Sequence, residues 1–195
     1  MSSYMVLAAV SNALRSILWE DFDEDSVIRP IVGSESAIVF ANPTETARDS
    51  ANRLSLWLYQ ITENEHLKNQ PPPRSNGHRS RPITPMAVNL YYLITPFATS
   101  GQANHLLLGK AMQVLYDNAI IRLQEPADEV AEELRVIFCR LSLEELTRIW
   151  EALQEPYRLS VCYQVRVMRI ESHRVSENAR VVEANSDYGN VPPQD

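Results

Sequence analysis

The chain has 195 residues, 45% of them hydrophobic and 22% charged, with a formal net charge of -7 at pH 7. That length accommodates one sizeable core, so a single main domain is the simplest organisation. The negative balance argues against general nucleic-acid affinity, which needs clustered positive charge, and no stretch approaches the ~18 consecutive apolar residues of a membrane span.

The N-terminus lacks the pattern of a secretory signal. The first basic residue is Arg15, and the apolar run Met5–Val10 is broken by Ser11 and Asn12. Tyr4–Trp19 carries Leu7, Val10, Leu14, Ile17 and Leu18 at helical period, which predicts a helix docked on the core by one face. Its polar side lacks the Lys/Arg enrichment of a membrane-surface helix. Glu20–Asp25 holds five acids in six residues and reads as the solvated turn that ends the helix. Ser36–Phe40 is a short apolar run of strand type, and Asn42–Asn52 reads as a loop or a short helical turn.

Arg53–Ile61 is rich in strand-forming residues and apolar on both faces, with Leu54, Leu56 and Leu58 on one and Trp57, Tyr59 and Ile61 on the other. Such a strand is covered on both sides, by helices or by another subunit. His66–Pro85 then breaks the pattern. It holds Pro71, Pro72, Pro73, Pro82 and Pro85 together with Lys68, Arg74, Arg79 and Arg81, and no acid. Polyproline conformation and a Ser-Asn-Gly turn fit this composition. The segment reads either as a surface loop or as a contact arm for an acidic protein surface.

Met86–Ile94 is a second strand with apolar residues on both faces. Gln102–Asn118 returns to helical period through Leu107, Ala111, Val114 and Leu115. Pro126–Glu133 is acidic, and Arg135–Leu141 reads as a short strand. Ser142 and Glu145 then form the signature of a capping box, in which hydroxyl and carboxylate each satisfy an amide at a helix start. Leu143, Leu146, Trp150 and Leu153 give that helix one apolar stripe, and Pro156 ends it. Leu159–Ile170 alternates as a strand of about 40 Å, longer than one small core requires. After Ser172 the apolar pattern fades, and 173–195 reads as a flexible tail.

Catalytic and metal chemistry find no foothold in these residues. Gly109-Lys110 has Ala111 where a phosphate-binding loop places Ser or Thr, and position 104 is Asn rather than Gly. His66, His78, His105 and His173 are scattered, without carboxylates at ligand spacing. Glu144 and Glu145 belong to a helix start, where the dipole favours negative charge. Cys139 and Cys162 are expected as reduced core residues of a cytosolic protein, with a bridge between neighbouring strands the lesser alternative. No enzyme, cofactor or metal is expected.

Four segments together resemble one family: Asn52–Gln70, Pro85–Ala98, Asn104–Ile121 and Leu141–Ser172. Their order and spacing are similar to the N-terminal domain of tail terminator, or cap, proteins of phage-tail-like contractile injection systems, the antifeeding-prophage and virulence-cassette particles. The most specific stretch is Ser142–Tyr163, with Glu144, Leu146, Trp150, Pro156, Tyr157 and Arg158 in place. The resemblance implies an α+β fold, a mixed or antiparallel sheet flanked by helices, spanning 1–172. It also implies a structural role: a ring, hexameric in this family, that closes the distal end of the inner tube and contractile sheath, without direct membrane insertion. The particle would be cytoplasmic, docked at a membrane or released only through partners. In that role the over-long strand Leu159–Ile170 is expected to offer part of its edge to a neighbouring subunit or to a sheath strand. The candidate interaction residues are Lys68, Arg74, Arg79 and Arg81 in the basic segment and Tyr157, Arg158, Tyr163 and Arg166 around the strand. The alternative function is an adaptor whose basic segment docks an acidic anchor or effector.

Overall fold

The computed structural model describes residues 5–64, 80–82, 86–123, 132–170 and 175–177. Helices α1 (Val6–Glu24), α4 (Gly101–Asp117) and α5 (Leu143–Leu153), with the short α2 (Arg29–Val32) and α3 (Pro43–Thr46), accompany a six-stranded sheet. Its strands are β1 (Ile38–Val39), β2 (Leu54–Glu63), β4 (Met86–Pro96), β5 (Ile120–Leu123), β6 (Glu132–Cys139) and β7 (Val161–Ile170), in spatial order β1-β2-β4-β7-β6-β5. The β1–β2 pair is parallel and every other pair in this sheet is antiparallel, so the sheet is mixed and the class α+β.

One face of the sheet carries the main core. Leu56, Leu90, Tyr92, Val136, Tyr163 and Val165 meet α1 and α4 through Val10, Leu14, Leu18, Leu107, Ala111 and Val114 in one buried cluster. The helix α1 runs five residues past Trp19, because Phe22 continues the Leu14–Leu18 stripe and is completely buried. The acidic run is therefore the last helical turn, not a solvated loop. Its three aspartates have partners: Lys110 Nζ lies 3.4 Å from Asp21 and 3.7 Å from Asp25, and Arg29 lies 3.2 Å from Asp23. Lys110 thus ties α4 to α1.

Several local expectations hold with adjusted ends. Asn42 caps α3 by accepting from the Glu45 amide at 2.8 Å. In α5 the Ser142 hydroxyl accepts from the Glu145 amide at 3.2 Å, while the Glu145 carboxylate accepts from the Ser142 amide at 2.8 Å. The helix closes at Gln154, in left-handed conformation at φ 56, two residues before Pro156 bars a further turn.

Three strands lie where none was expected. Ile120–Leu123 forms β5, and β6 reaches back into the acidic segment to Glu132, so that Leu123 faces Glu132 and Ile120 faces Arg135. Ser80–Pro82 (β3) and Val175–Glu177 (β8) pair antiparallel in a separate two-stranded sheet. They join the segment read as a loop to the segment read as a tail. These runs are too short for periodicity to register, and only pairing with a distant partner makes them strands.

A further correction concerns β7. It lies inside the sheet, paired with β4 from Val161 to Ile170 and with β6 from Cys162 to Arg166. Both edges are blocked within the chain over Cys162–Arg166, so that stretch has no edge to give a neighbour.

Candidate interaction surface

The face of the sheet opposite α1 and α4 is only partly covered. Register places Trp57, Leu93, Cys162 and Cys139 in one row across β2, β4, β7 and β6. The next row is Tyr91, Gln164 and Ile137, and a third sets Arg166 opposite Arg135. A bulge between Leu58 and Gln60 alters the faces read from sequence. Past it, Ile61 opposes Leu90 and so shares the face of Leu58, which opposes Tyr92. Tyr59 stays with the aromatic row.

Leu93 and Cys162 are buried in the first row, while Trp57, Tyr59, Tyr91 and Ile137 are half-buried and both arginines exposed. The aromatic rings form a ladder, Trp57 to Tyr59 at 5.9 Å and Tyr59 to Tyr91 at 6.4 Å between centroids. Polar contacts fix it. Arg166 Nε donates to Gln164 Oε1 at 3.0 Å, and Gln164 Nε2 donates to Tyr91 Oη at 3.1 Å. Tyr59 Oη and Cys162 Sγ share a hydrogen bond of 3.3 Å. Cys139 and Cys162 stand opposite each other on β6 and β7, both as free thiols. Burial pushes the Cys162 thiol up to about 12 and raises Cys139 as well, so neither is a thiolate nucleophile at neutral pH.

The expected interaction residues part company here. Arg166 lies on this open face. Tyr163 does not: it points to the opposite side, 5% exposed, edge-on to Phe138 at 5.5 Å, and serves the main core. Alternation along β7 placed it on a face without saying which face the helices cover. Tyr157 and Arg158 sit in the connection after α5. Tyr157 is 45% exposed and packs edge-on against the buried Trp150 at 6.2 Å. Arg158 lies 5.2 Å above the Phe97 ring and lines two shallow clefts, of about 170 and 150 Å³. His105, in the first turns of α4, lines the smaller cleft with it. Of the basic segment, Arg81 falls in β3, while Lys68, Arg74 and Arg79 lie outside the described residues.

The sequence did not single out Arg135, Trp57, Tyr59 and Tyr91 as a unit. Their common face shows only once β2, β4, β7 and β6 are set in register. Among the described residues no group of three His, Cys, Asp or Glu side chains is placed to hold a metal ion, and no helix is long and apolar enough to cross a membrane.

Residues 9–184 match the family model described as the Pvc16 N-terminal domain. The chain belongs to that family. Its fold is similar to the sheath/tube terminator of an extracellular contractile injection system, PVC, in its extended state, with a TM-score of 0.63 at 19% identity. This likeness covers 96% of the present chain and 64% of the terminator. The tube-terminating cap of the anti-feeding prophage is also similar, with a TM-score of 0.52 at 21% identity over 91% of this chain and 59% of the cap. This member of the Pvc16 N-terminal family therefore spans a little under two thirds of either chain. No curated protein matches the sequence.

Proposed function

We propose that this chain is a non-enzymatic assembly protein that terminates the tube and sheath of a contractile injection system. It acts as a ring, hexameric as the family resemblance implies, at the distal end of the particle. The observation that carries this reading is the fold likeness to a sheath/tube terminator over 96% of the chain, joined to membership of the family over 9–184. Its partners are further copies of itself and the last rings of tube and sheath. It assembles in the cytoplasm of the producing cell as part of the particle.

The physical chemistry of the surface supports assembly rather than turnover. The buried Cys162 thiol stays protonated, and the clefts beside Arg158 are shallow. A half-covered sheet face lined by Trp, Tyr and Arg has the composition of an interface centre. Negative-stain images of the purified chain test the proposal directly. Closed rings are expected, and adding pre-formed sheathed tubes should place one ring at one end. A chain that stays a compact monomer alone and on tubes would overturn it.

A further inference from the structure

Two surfaces of this chain are under-covered in a single copy, and their chemistry is complementary. The first is the open sheet face. Arg135 on β6 stands directly opposite Arg166 on β7, and both are exposed. Like charges directly opposite on neighbouring strands are destabilising. Among the described residues neither guanidinium has a carboxylate partner. Arg166 is instead held by Gln164, which in turn holds Tyr91. The aromatic ladder of Trp57, Tyr59 and Tyr91 lies alongside, half-buried.

The second surface is α5. Its sequence is strongly amphipathic, yet of the stripe Leu143, Leu146, Trp150 and Leu153 only Trp150 is buried. Leu143 is 67% exposed. Carboxylates flank the stripe: Leu143–Glu155 contains Glu144, Glu145, Glu151 and Glu155 against one base, Arg148. Leu146 and Leu153 are half-buried, so the stripe is left in water at its first turn, at Leu143, and an apolar stripe so exposed has room for a further partner.

We infer that α5 of one copy docks on the open sheet face of the next copy, a contact that rests on the ring reading above. The α5 carboxylates approach the Arg135–Arg166 pair and relieve its repulsion. Leu143 and Leu146 cover the aromatic ladder. Two different surfaces of the same chain meet, which is the head-to-tail arrangement that closes rings. Opposite charge on the two surfaces sets their register and disfavours contact between like surfaces.

Charge exchange on the full chain tests this, read by light scattering after size-exclusion chromatography, with thermal melts to verify folding. The variants are Arg135→Glu with Arg166→Glu, Glu144→Arg with Glu151→Arg, and all four changes together. All these side chains are exposed in one copy, and Leu143→Asp is a further exposed change that probes the apolar half. Each double variant, and Leu143→Asp, should raise the concentration for half-assembly about tenfold or more, the shift expected for loss of an interfacial charge pair. The four-charge variant should recover assembly. Rings that persist unchanged in both double variants overturn the docking and leave the ring reading standing. Disruption without recovery in the four-charge variant overturns the α5 pairing and assigns the arginine face to another partner. A wild-type chain that stays monomeric overturns the ring reading and this contact with it.

Discussion

Ser11 Oγ on α1 and Tyr92 Oη on β4 meet at 2.9 Å inside the core, 81 residues apart in sequence. The bond fixes the rotation and height of α1 on the sheet, since Ser11 also donates to Leu7 O at 3.1 Å within its own helix. A buried phenol needs such a partner, and burial pushes its pKa up to about 12. Tyr92→Phe is expected to lower stability by about 1 kcal/mol, the net worth of a buried hydrogen bond. A double-mutant cycle with Ser11→Ala, read by urea denaturation, checks this: the pair should show a coupling energy of similar size.

The capping box of α5 gives a second expectation. Ser142→Ala removes the acceptor for the Glu145 amide and should cost about 0.5–2 kcal/mol. The cost should show as an earlier loss of helical signal, with the main core retained.

Acid should weaken the fold through two carboxylates. Glu145 is held below its usual value of 4.5 chiefly by the Ser142 amide, and Asp25 below 3.8 by the Val27 and Ile28 amides. A depressed folded-state pKa means that the unfolded chain takes up the proton first. Their contribution is therefore present above about pH 5 and is lost as pH falls below 4. Unfolding midpoints recorded from pH 6 to 3 should decline, and the decline should be shallower in Glu145→Gln and Asp25→Asn.

Alkali acts in the opposite sense on buried groups. Cys162 rises from 9.0 to about 12 and Tyr92 from 10.0 to about 12, both chiefly through burial. Raised values favour the neutral folded form, so the contribution of these two groups is full below about pH 9 and is lost as pH rises from 9 towards 12. Replacing Cys162 with Val should flatten the onset of that fall, as followed by denaturant titration at pH 8, 9 and 10.

Trp150 and Leu143 belong to one helical stripe but should behave differently. Trp150 is 1% exposed, and Trp150→Ala is expected to cost about 3–5 kcal/mol. Leu143→Ala should stay within about 0.5 kcal/mol in the unassembled chain, as exposed positions do. Thermal melts of the two variants at concentrations below assembly separate these cases.

Local signals in this chain were sufficient for what local chemistry controls. The Ser142–Glu145 box, the short helical turn within Asn42–Asn52, the stop before Pro156 and the period of α4 all rest on contacts within a few residues, and each appears in the structure. The two strands apolar on both faces, β2 and β4, were equally plain, because residue type alone carries that signal. The resemblance to tail terminator caps rested on the same stretches, and family and fold bear it out.

What the sequence could not decide was which groups stand side by side. The length of β7 reads as an offered edge, yet β4 and β6 take both of its sides over Cys162–Arg166. Tyr163 and Arg166 alternate on one strand, but only the docking of α1 and α4 makes one of them core and the other surface. The acidic run Glu20–Asp25 looks like a turn until Phe22 is seen to be buried and Lys110, from a distant helix, is seen to pair with Asp21 and Asp25. The opposition of Arg135 and Arg166 has no trace in either segment by itself, because it exists only through the register of β6 on β7. Periodicity fixes which residues share a face; the pairing of remote strands fixes which faces meet, and therefore which surface is left for another molecule.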